Sequence, residues 1–350
     1  MVQVHTIEIS PPLINASCAW ASDLAQLREL YDCPYTGAVT TRTATLNGFG
    51  EDDSNTVVFA ASSTSSLNSY GYSPHPLASY LSWVHTLLTT PTASGSTPSK
   101  PIIISITAAS STVLGEMLDE IQELRVRLKQ IHHSNGAAGV IDPSTLVAVE
   151  LNTSCPNIKG TSPPAYNFPL LLPLLDVLAS TFRSDSSLTI GLKLPPYLYS
   201  TRFQEVVRDL SMYSRGVPGS EGQDTANPFA FITSTNTLGS SLFFADQTTL
   251  PSSATSSDNA PYALPTQLGG LGGEALHPLA LGNVFSFAKL LGAHSDPAMR
   301  RVVIFGVGGV TSSEAVRRMY GAGAKIVGCA TMLGLMGVKV FRYLTDDASD

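Results

Sequence analysis

The chain has 350 residues, 43% of them hydrophobic, enough for a large buried core and for either two ordinary domains or one α/β barrel. Charged residues make up only 13%, the net charge is −7 and no Lys/Arg run occurs. This excludes a nucleic-acid or polybasic membrane surface, so any anionic ligand must be held locally.

Short apolar runs alternate with helix-length amphipathic segments along the whole chain. In chain order, strand-like runs lie near 11–17 and at 38–41, 102–106, 146–151, 188–194, 229–234, 302–306 and 325–330. The segments between and after them predict helices at 22–31, 77–88, 112–133, 169–182, 201–214, 279–292, 313–322 and 332–344. Eight strands with eight helices predict one α/β domain over residues 1–350, a closed (β/α)8 TIM barrel rather than a doubly wound sheet. Ser/Thr/Gly-rich stretches at 50–66, 91–99, 216–227 and 246–260 read as surface loops or insertions, with insertions expected at the C-terminal face.

The N-terminal segment lacks the basic start and continuous apolar core of a signal peptide, and no run reaches membrane-spanning length. A soluble cytoplasmic protein with no membrane partner is therefore expected. Cys18, Cys33, Cys155 and Cys329 lie far apart with no CxxC or Cys/His cluster, so reduced thiols are expected rather than a disulfide framework or a metal site.

In such a barrel the chemistry sits where strands end and βα loops begin. Asn152 and Cys155 follow the run at 146–151, Asn236 follows 229–234, and the glycines of "GVGG" follow 302–306. Lys193, inside "IGLKLPP", either faces solvent on an alternating strand or points into the barrel, where an ammonium needs an electron-rich partner. Gly308 and Gly309, between a strand and a helix, can offer backbone N–H groups to a phosphate, and "GCATM" (328–332) follows the next strand. A phosphate site shared by the last two βα loops suits this fold. No GK[ST] follows the glycines and no strand is evident before "GGLGG" (269–273), so a mononucleotide fits better than a dinucleotide.

Cys155 has two readings. A lone Cys is usually one more small buried residue. Here Pro156 stiffens the turn and polar neighbours surround it, which suits a general base. Asn68, Asn152, Asn157 and Asn236 can each donate and accept, as a cyclic imide or ureide would require.

Taken in order, "INAS" (14–17), "SLNSYG" (66–71), "ELNTSCPN" (150–157), "GLKLPPY" (191–197), "ITSTNTLG" (232–239), "GGLGGEALHPLALGNV" (269–284) and "IFGVGGV" (304–310) resemble the dihydroorotate dehydrogenases. The match runs from about residue 12 to 344, and "SCPNIKGTSPPAYNF" is most similar to the soluble, fumarate-linked class 1A group. The resemblance implies that dihydroorotate is oxidised to orotate in pyrimidine biosynthesis, with FMN as cofactor, fumarate as acceptor and a homodimer as the assembly. By the same resemblance Cys155 would take the proton from C5 while hydride passes from C6 to FMN. Lys193 would stabilise the anionic reduced flavin, and Asn68, Asn152, Asn157 and Asn236, with Arg42 and Thr237, would hold the substrate. Ala16, Ser17, Thr43 and Asn152 would line the flavin ring, and Gly272, Gly308, Gly309, Ala330 and Thr331 would surround its phosphate.

The chain departs from the family pattern in places. "TRTAT" (41–45) puts Arg42 where the family has Lys, and "LNGFGEDDSNTVVFAASS" (46–63) replaces a segment rich in Glu-Gly-Asn-Pro. Thr237 stands for a usual Ser, Cys18 for a Gly and His277 for a Lys. Two other readings stay open: an FMN-dependent paralogue acting on another unsaturated ring or acid, and a non-catalytic nucleotide-binding barrel.

Overall fold

The computed structural model describes residues 1–134, 141–158, 160, 163–216, 225–249 and 261–345. Parts of the sequence-expected loops at 216–227 and 246–260, and of the "SCPNIKGTSPPAYNF" segment, lie outside the described residues.

Parallel strands form the expected barrel: β1 (Leu13–Asn15), β2 (Val39–Thr40), β3 (Ile102–Ile106), β4 (Val147–Asn152), β5 (Thr189–Leu194), β6 (Phe229–Ser234), β7 (Val303–Val307) and β8 (Ile326–Cys329). They pair in the order β1-β8-β7-β6-β5-β4-β3-β2, and a parallel bridge between Ile14 and Ala38 joins the two ends. Each strand is followed by its helix: α1 (Leu24–Asp32), α2 (Leu77–Thr89), α3 (Ser111–Ser134), α4 (Leu172–Ser184), α5 (Ser200–Ser211), α6 (His277–Gly292), α7 (Ser313–Ala322) and α8 (Thr331–Met336). The apolar stripes of the helices face outward-pointing strand residues such as Ile102, Ile104, Val149 and Leu192 in one continuous core.

The inward positions stack in layers because strand side chains alternate. At the N-terminal end Ile14, Ala38, Ile103, Ala148, Phe231, Phe305 and Ile326 form an apolar plug, sealed by Val4, Ile7 and Ile9 of a hairpin (Val2–Val4 with Ile7–Ile9). Phe231 and Phe305 stack with centroids 4.3 Å apart and planes 10° off parallel. Gly191 leaves room for this pair, since a Cβ there would lie 2.2 Å from the Phe231 ring. Two residues further along the strands the layer turns polar, with Ser105, Glu150 and Thr233 buried. Above that, Asn152 and Lys193 are register partners at the C-terminal end.

Two expectations are corrected. The 50–66 stretch is not only loop: Val57–Phe59 and Ser65–Asn68 pair antiparallel, and Ser65–Asn68 also pairs with Leu268–Gly273, which pairs with Leu238–Leu242. The glycine-rich "GGLGG" is thus itself a strand, and its Gly269 and Gly273 lie where a Cβ would meet backbone of the neighbouring strand at 2.5 and 2.3 Å. The expected helix at 332–344 is broken at Gly337, whose φ of +64° stops the first helix before a second, Lys339–Thr345, begins.

Truncation of Phe305 to Ala should remove half of the stacked pair from a layer with no room to collapse. A loss of about 3–5 kcal/mol in stability is expected from guanidinium unfolding. A loss under about 1 kcal/mol would show that the plug does not carry the fold.

Candidate active site

The C-terminal strand ends and the small antiparallel sheet enclose one cleft. All the residues to which the resemblance gives a role line it: Cys155 and Lys193; Arg42, Asn68, Asn152, Asn157, Asn236 and Thr237; Ala16, Ser17 and Thr43; Gly272, Gly308, Gly309, Ala330 and Thr331.

Lys193 is buried, so of its two placements the structure selects the barrel interior. Its Nζ donates to the Ser17 carbonyl at 3.0 Å. One layer below lies a group that the sequence reading did not single out, Glu150, whose Oε1 and Oε2 accept from Ser105 Oγ at 3.3 Å and Thr233 Oγ1 at 2.6 Å. Burial pushes the Glu150 carboxyl up, and Lys193 with the two hydroxyls pulls it back. The signal was present: in "VELN", Glu150 shares the face of Asn152, two residues on.

From Glu150 a chain of polar contacts climbs to the cleft. Ser105 Oγ meets Thr43 Oγ1 at 3.0 Å, and Thr43 Oγ1 meets Ser17 Oγ at 2.9 Å and accepts from Asn152 Nδ2 at 2.9 Å. Asn152 Oδ1 accepts from Asn236 Nδ2 at 3.1 Å, and Asn236 Oδ1 accepts the Thr237 N–H at 3.0 Å. These carboxamides are therefore held in fixed orientations before any ligand arrives.

Asn157 is oriented by the small sheet. Its Nδ2 donates to the Asn68 Oδ1 at 3.0 Å and the Tyr70 carbonyl at 2.8 Å, while Asn68 Nδ2 donates to the Gly270 carbonyl at 3.0 Å. Between the two groups, Cys155 Sγ approaches the Tyr70 carbonyl at 3.9 Å. Burial pushes the Cys155 thiol up; a backbone N–H at Asn157 and the charges of Lys193 and Arg42 oppose this. Cys18, also in the cleft, is pushed up to about 11, mainly by burial. All four cysteines are free thiols.

The glycine edge is a tightly packed turn. Gly308 and Gly309 have φ of +125° and +66°, and a Cβ on Gly309 would lie 2.5 Å from His277 Cβ. His277 Nδ1 lies 2.8 Å from the Gly308 carbonyl, and its Nε2 accepts from Arg318 Nε at 3.2 Å, which fixes the neutral ring against the turn. Across the edge Ser66 Oγ and Thr331 Oγ1 meet at 2.9 Å, and a Cβ on Gly272 would stand 3.2 Å from both.

Arg42 is buried and held by Glu51 of the divergent 46–63 segment. Its guanidinium lies 5.3 Å from the Tyr70 ring centroid. Among the described residues no group of three or more His, Cys, Asp or Glu could hold a metal ion, and no helix is long and apolar enough to cross a membrane.

The chain matches the dihydroorotate dehydrogenase family over residues 1–349. A protein of Saccharomyces mikatae named dihydroorotate dehydrogenase (fumarate) is 26% identical over 341 residues, 97% of this chain and 88% of that one. The protein of the same name in Saccharomyces cerevisiae is 26% identical over 339 residues, again 97% and 88%. A Streptococcus uberis protein, provisionally named dihydroorotate dehydrogenase A (fumarate), is 29% identical over 199 residues, so that match spans 57% of this chain and about half, 52%, of the relative. The barrel, its cleft and the match along nearly the whole chain agree: this chain belongs to the dihydroorotate dehydrogenase family, a family of generally flavin-dependent oxidoreductases.

Proposed function

We propose that this chain, acting as a single barrel domain, oxidises (S)-dihydroorotate to orotate in pyrimidine biosynthesis, with FMN as cofactor and fumarate as electron acceptor. A cytoplasmic homodimer is part of the same reading and rests on the resemblance to the class 1A group alone. The observation that carries it is the convergence of a thiol, a buried ammonium and four oriented carboxamides on one cleft with a glycine edge.

The donor set fits FMN. At Gly272, Gly308 and Gly309 a Cβ would meet the Ser66, Ala280 and His277 side chains, so glycine lets the backbone pack closely along the cleft edge, where its N–H groups would hold a phosphate. Ala16, Ser17, Thr43, Ala330 and Thr331 would hold the rest of the cofactor, with Lys193 as the cation beside it. When bound, FMN would supply two-electron redox chemistry: an acceptor for the hydride from C6 of the substrate and a source of electrons for fumarate.

The chain's own residues do the rest. Cys155 Sγ takes the proton from C5 when the thiol is ionised. Asn68, Asn152, Asn157 and Asn236 pair with the ring's imide edge and carboxylate, with Arg42 and Thr237 beside them. Because their amides are already oriented by one another, little ordering remains to be done on binding. Lys193 places its ammonium on the floor of the cleft, with the Glu150 carboxyl one layer below it.

Replacing Cys155 with Ala should leave flavin binding intact and slow the reduction of bound flavin by dihydroorotate by about 10²–10⁴-fold in anaerobic stopped flow. An unchanged rate would remove Cys155 from the mechanism.

The raised thiol also sets a pH dependence. A base that must lose its proton, with its pKa above the ordinary range, is mostly protonated at neutral pH. The reduction rate should therefore climb through the neutral and alkaline range, about tenfold per pH unit below the thiol pKa. A plateau reached below roughly pH 8.5, the usual thiol value, would contradict this assignment.

A further inference from the structure

Arg42 and Lys193 are the two cationic side chains among the described residues that line the cleft. Lys193 serves the floor, so a ligand carboxylate entering from the loop side meets Arg42. That guanidinium is already occupied. Its Nη1 donates to Glu51 Oε2 at 3.4 Å and to Ser22 Oγ at 3.4 Å. Its Nη2 donates to Glu51 Oε1 and to the Tyr72 and Gly71 carbonyls at 3.1 and 3.5 Å. Tyr70 lies over its face. The two-pronged end of the fork, the geometry that best holds a carboxylate, is thus taken by a carboxylate from the chain itself.

Glu51 is brought there by a tethered segment. On one side the Phe49 N–H donates to the Ser73 carbonyl at 2.8 Å and the Phe49 ring meets Tyr72 edge-on with centroids 5.7 Å apart. On the other, Asn55 Nδ2 donates to the Ser69 carbonyl and the Thr56 N–H to Ser69 Oγ, both at 3.0 Å. The Glu51 side chain is itself 21% exposed, against 8% for Arg42, so it sits at the outer side of the pair and can leave toward solvent.

We propose that Glu51 is a specificity-determining residue: it occupies the seat that a ligand carboxylate would take on Arg42, so that an acid binds only if the rest of the molecule offsets Glu51's displacement. The inference rests on the function proposed above. A simple carboxylic acid exchanges one carboxylate for another on Arg42 and gains little. A planar imide or ureide ring bearing a carboxylate also pairs with the carboxamides and can displace Glu51. The pair thereby disfavours acids that offer the carboxamides no second polar edge, benzoate among them, relative to those that do, such as a ureide acid or a dicarboxylate, although all carry the same charged group.

The test uses the flavin-loaded protein, with and without Glu51→Gln, titrated with orotate, benzoate and uracil while the flavin absorbance is followed. The amide keeps the shape and one acceptor but removes the competing charge. Orotate should bind about tenfold tighter to the variant, as expected for release of one close like-charge competitor, and benzoate should gain measurable binding. Uracil, which lacks the carboxylate, should bind both proteins equally. Equal or weaker orotate binding by the variant overturns the inference alone, as does a parallel change in all three ligands, which would indicate a rearranged cleft. Failure of both proteins to bind orotate overturns the proposed function together with the inference.

Discussion

A lysine ammonium inside a closed barrel must be answered by the residues around it, because burying an unpaired cation is far more costly than any packing gain can offset. Lys193 is answered by the Ser17 carbonyl and, one layer down, by the Glu150 carboxyl. Glu150 in turn demands donors, and Ser105 on the adjacent strand and Thr233 two strands away supply them. The barrel register makes this possible, since Ser105 is the partner of Glu150 and Thr233 the partner of Lys193. One inward charge thus dictates the residue types at several inward positions. The same hydroxyls continue into Thr43, Asn152 and Asn236, so the network that neutralises the lysine also orients the cleft's carboxamides.

The two ends of the barrel divide the work. The N-terminal end is dry: the hairpin residues Val4, Ile7 and Ile9 close over stacked Phe231 and Phe305. That plug excludes water from below and strengthens the electrostatic interactions above it. The C-terminal end stays open and is walled by a small antiparallel sheet, which presses Asn68 against Asn157 and sets the loop that carries Cys155. Stability and chemistry therefore occupy separate layers of the same strands, as the alternating side chains permit.

The departures from the family pattern are absorbed locally. His277, in place of a usual Lys, stays neutral because burial and the nearby Arg318 push its pKa down, and it buttresses the Gly308 turn. Arg42 is longer and more broadly hydrogen-bonding than Lys, and the substituted 46–63 segment brings Glu51 to meet it. The two changes are physically coupled: a buried guanidinium without an acceptor would be strongly unfavourable.

Much of this was legible in the sequence. Apolar runs of strand length alternating with amphipathic segments determined the eight-fold βα order, because side-chain periodicity is a local property. Once a parallel barrel is granted, every strand end faces the same way, so Asn152, Cys155, Asn236 and the 308–309 glycines had to gather at one face whatever their separation in sequence. Other features depended on partners far away in the chain. "GGLGG" carries no apolar alternation, and it becomes a strand only because its backbone pairs with 65–68, where Asn68 and Gly270 stand 202 residues apart. The stretch at 332–344 looks like one helix until the φ of Gly337 interrupts it. Whether Lys193 faced solvent or the interior, which hydroxyls met Glu150 and which acid met Arg42 were decided only by the tertiary structure. Charge burial and hydrogen-bond pairing are settled between strands and loops that only the closed barrel brings together.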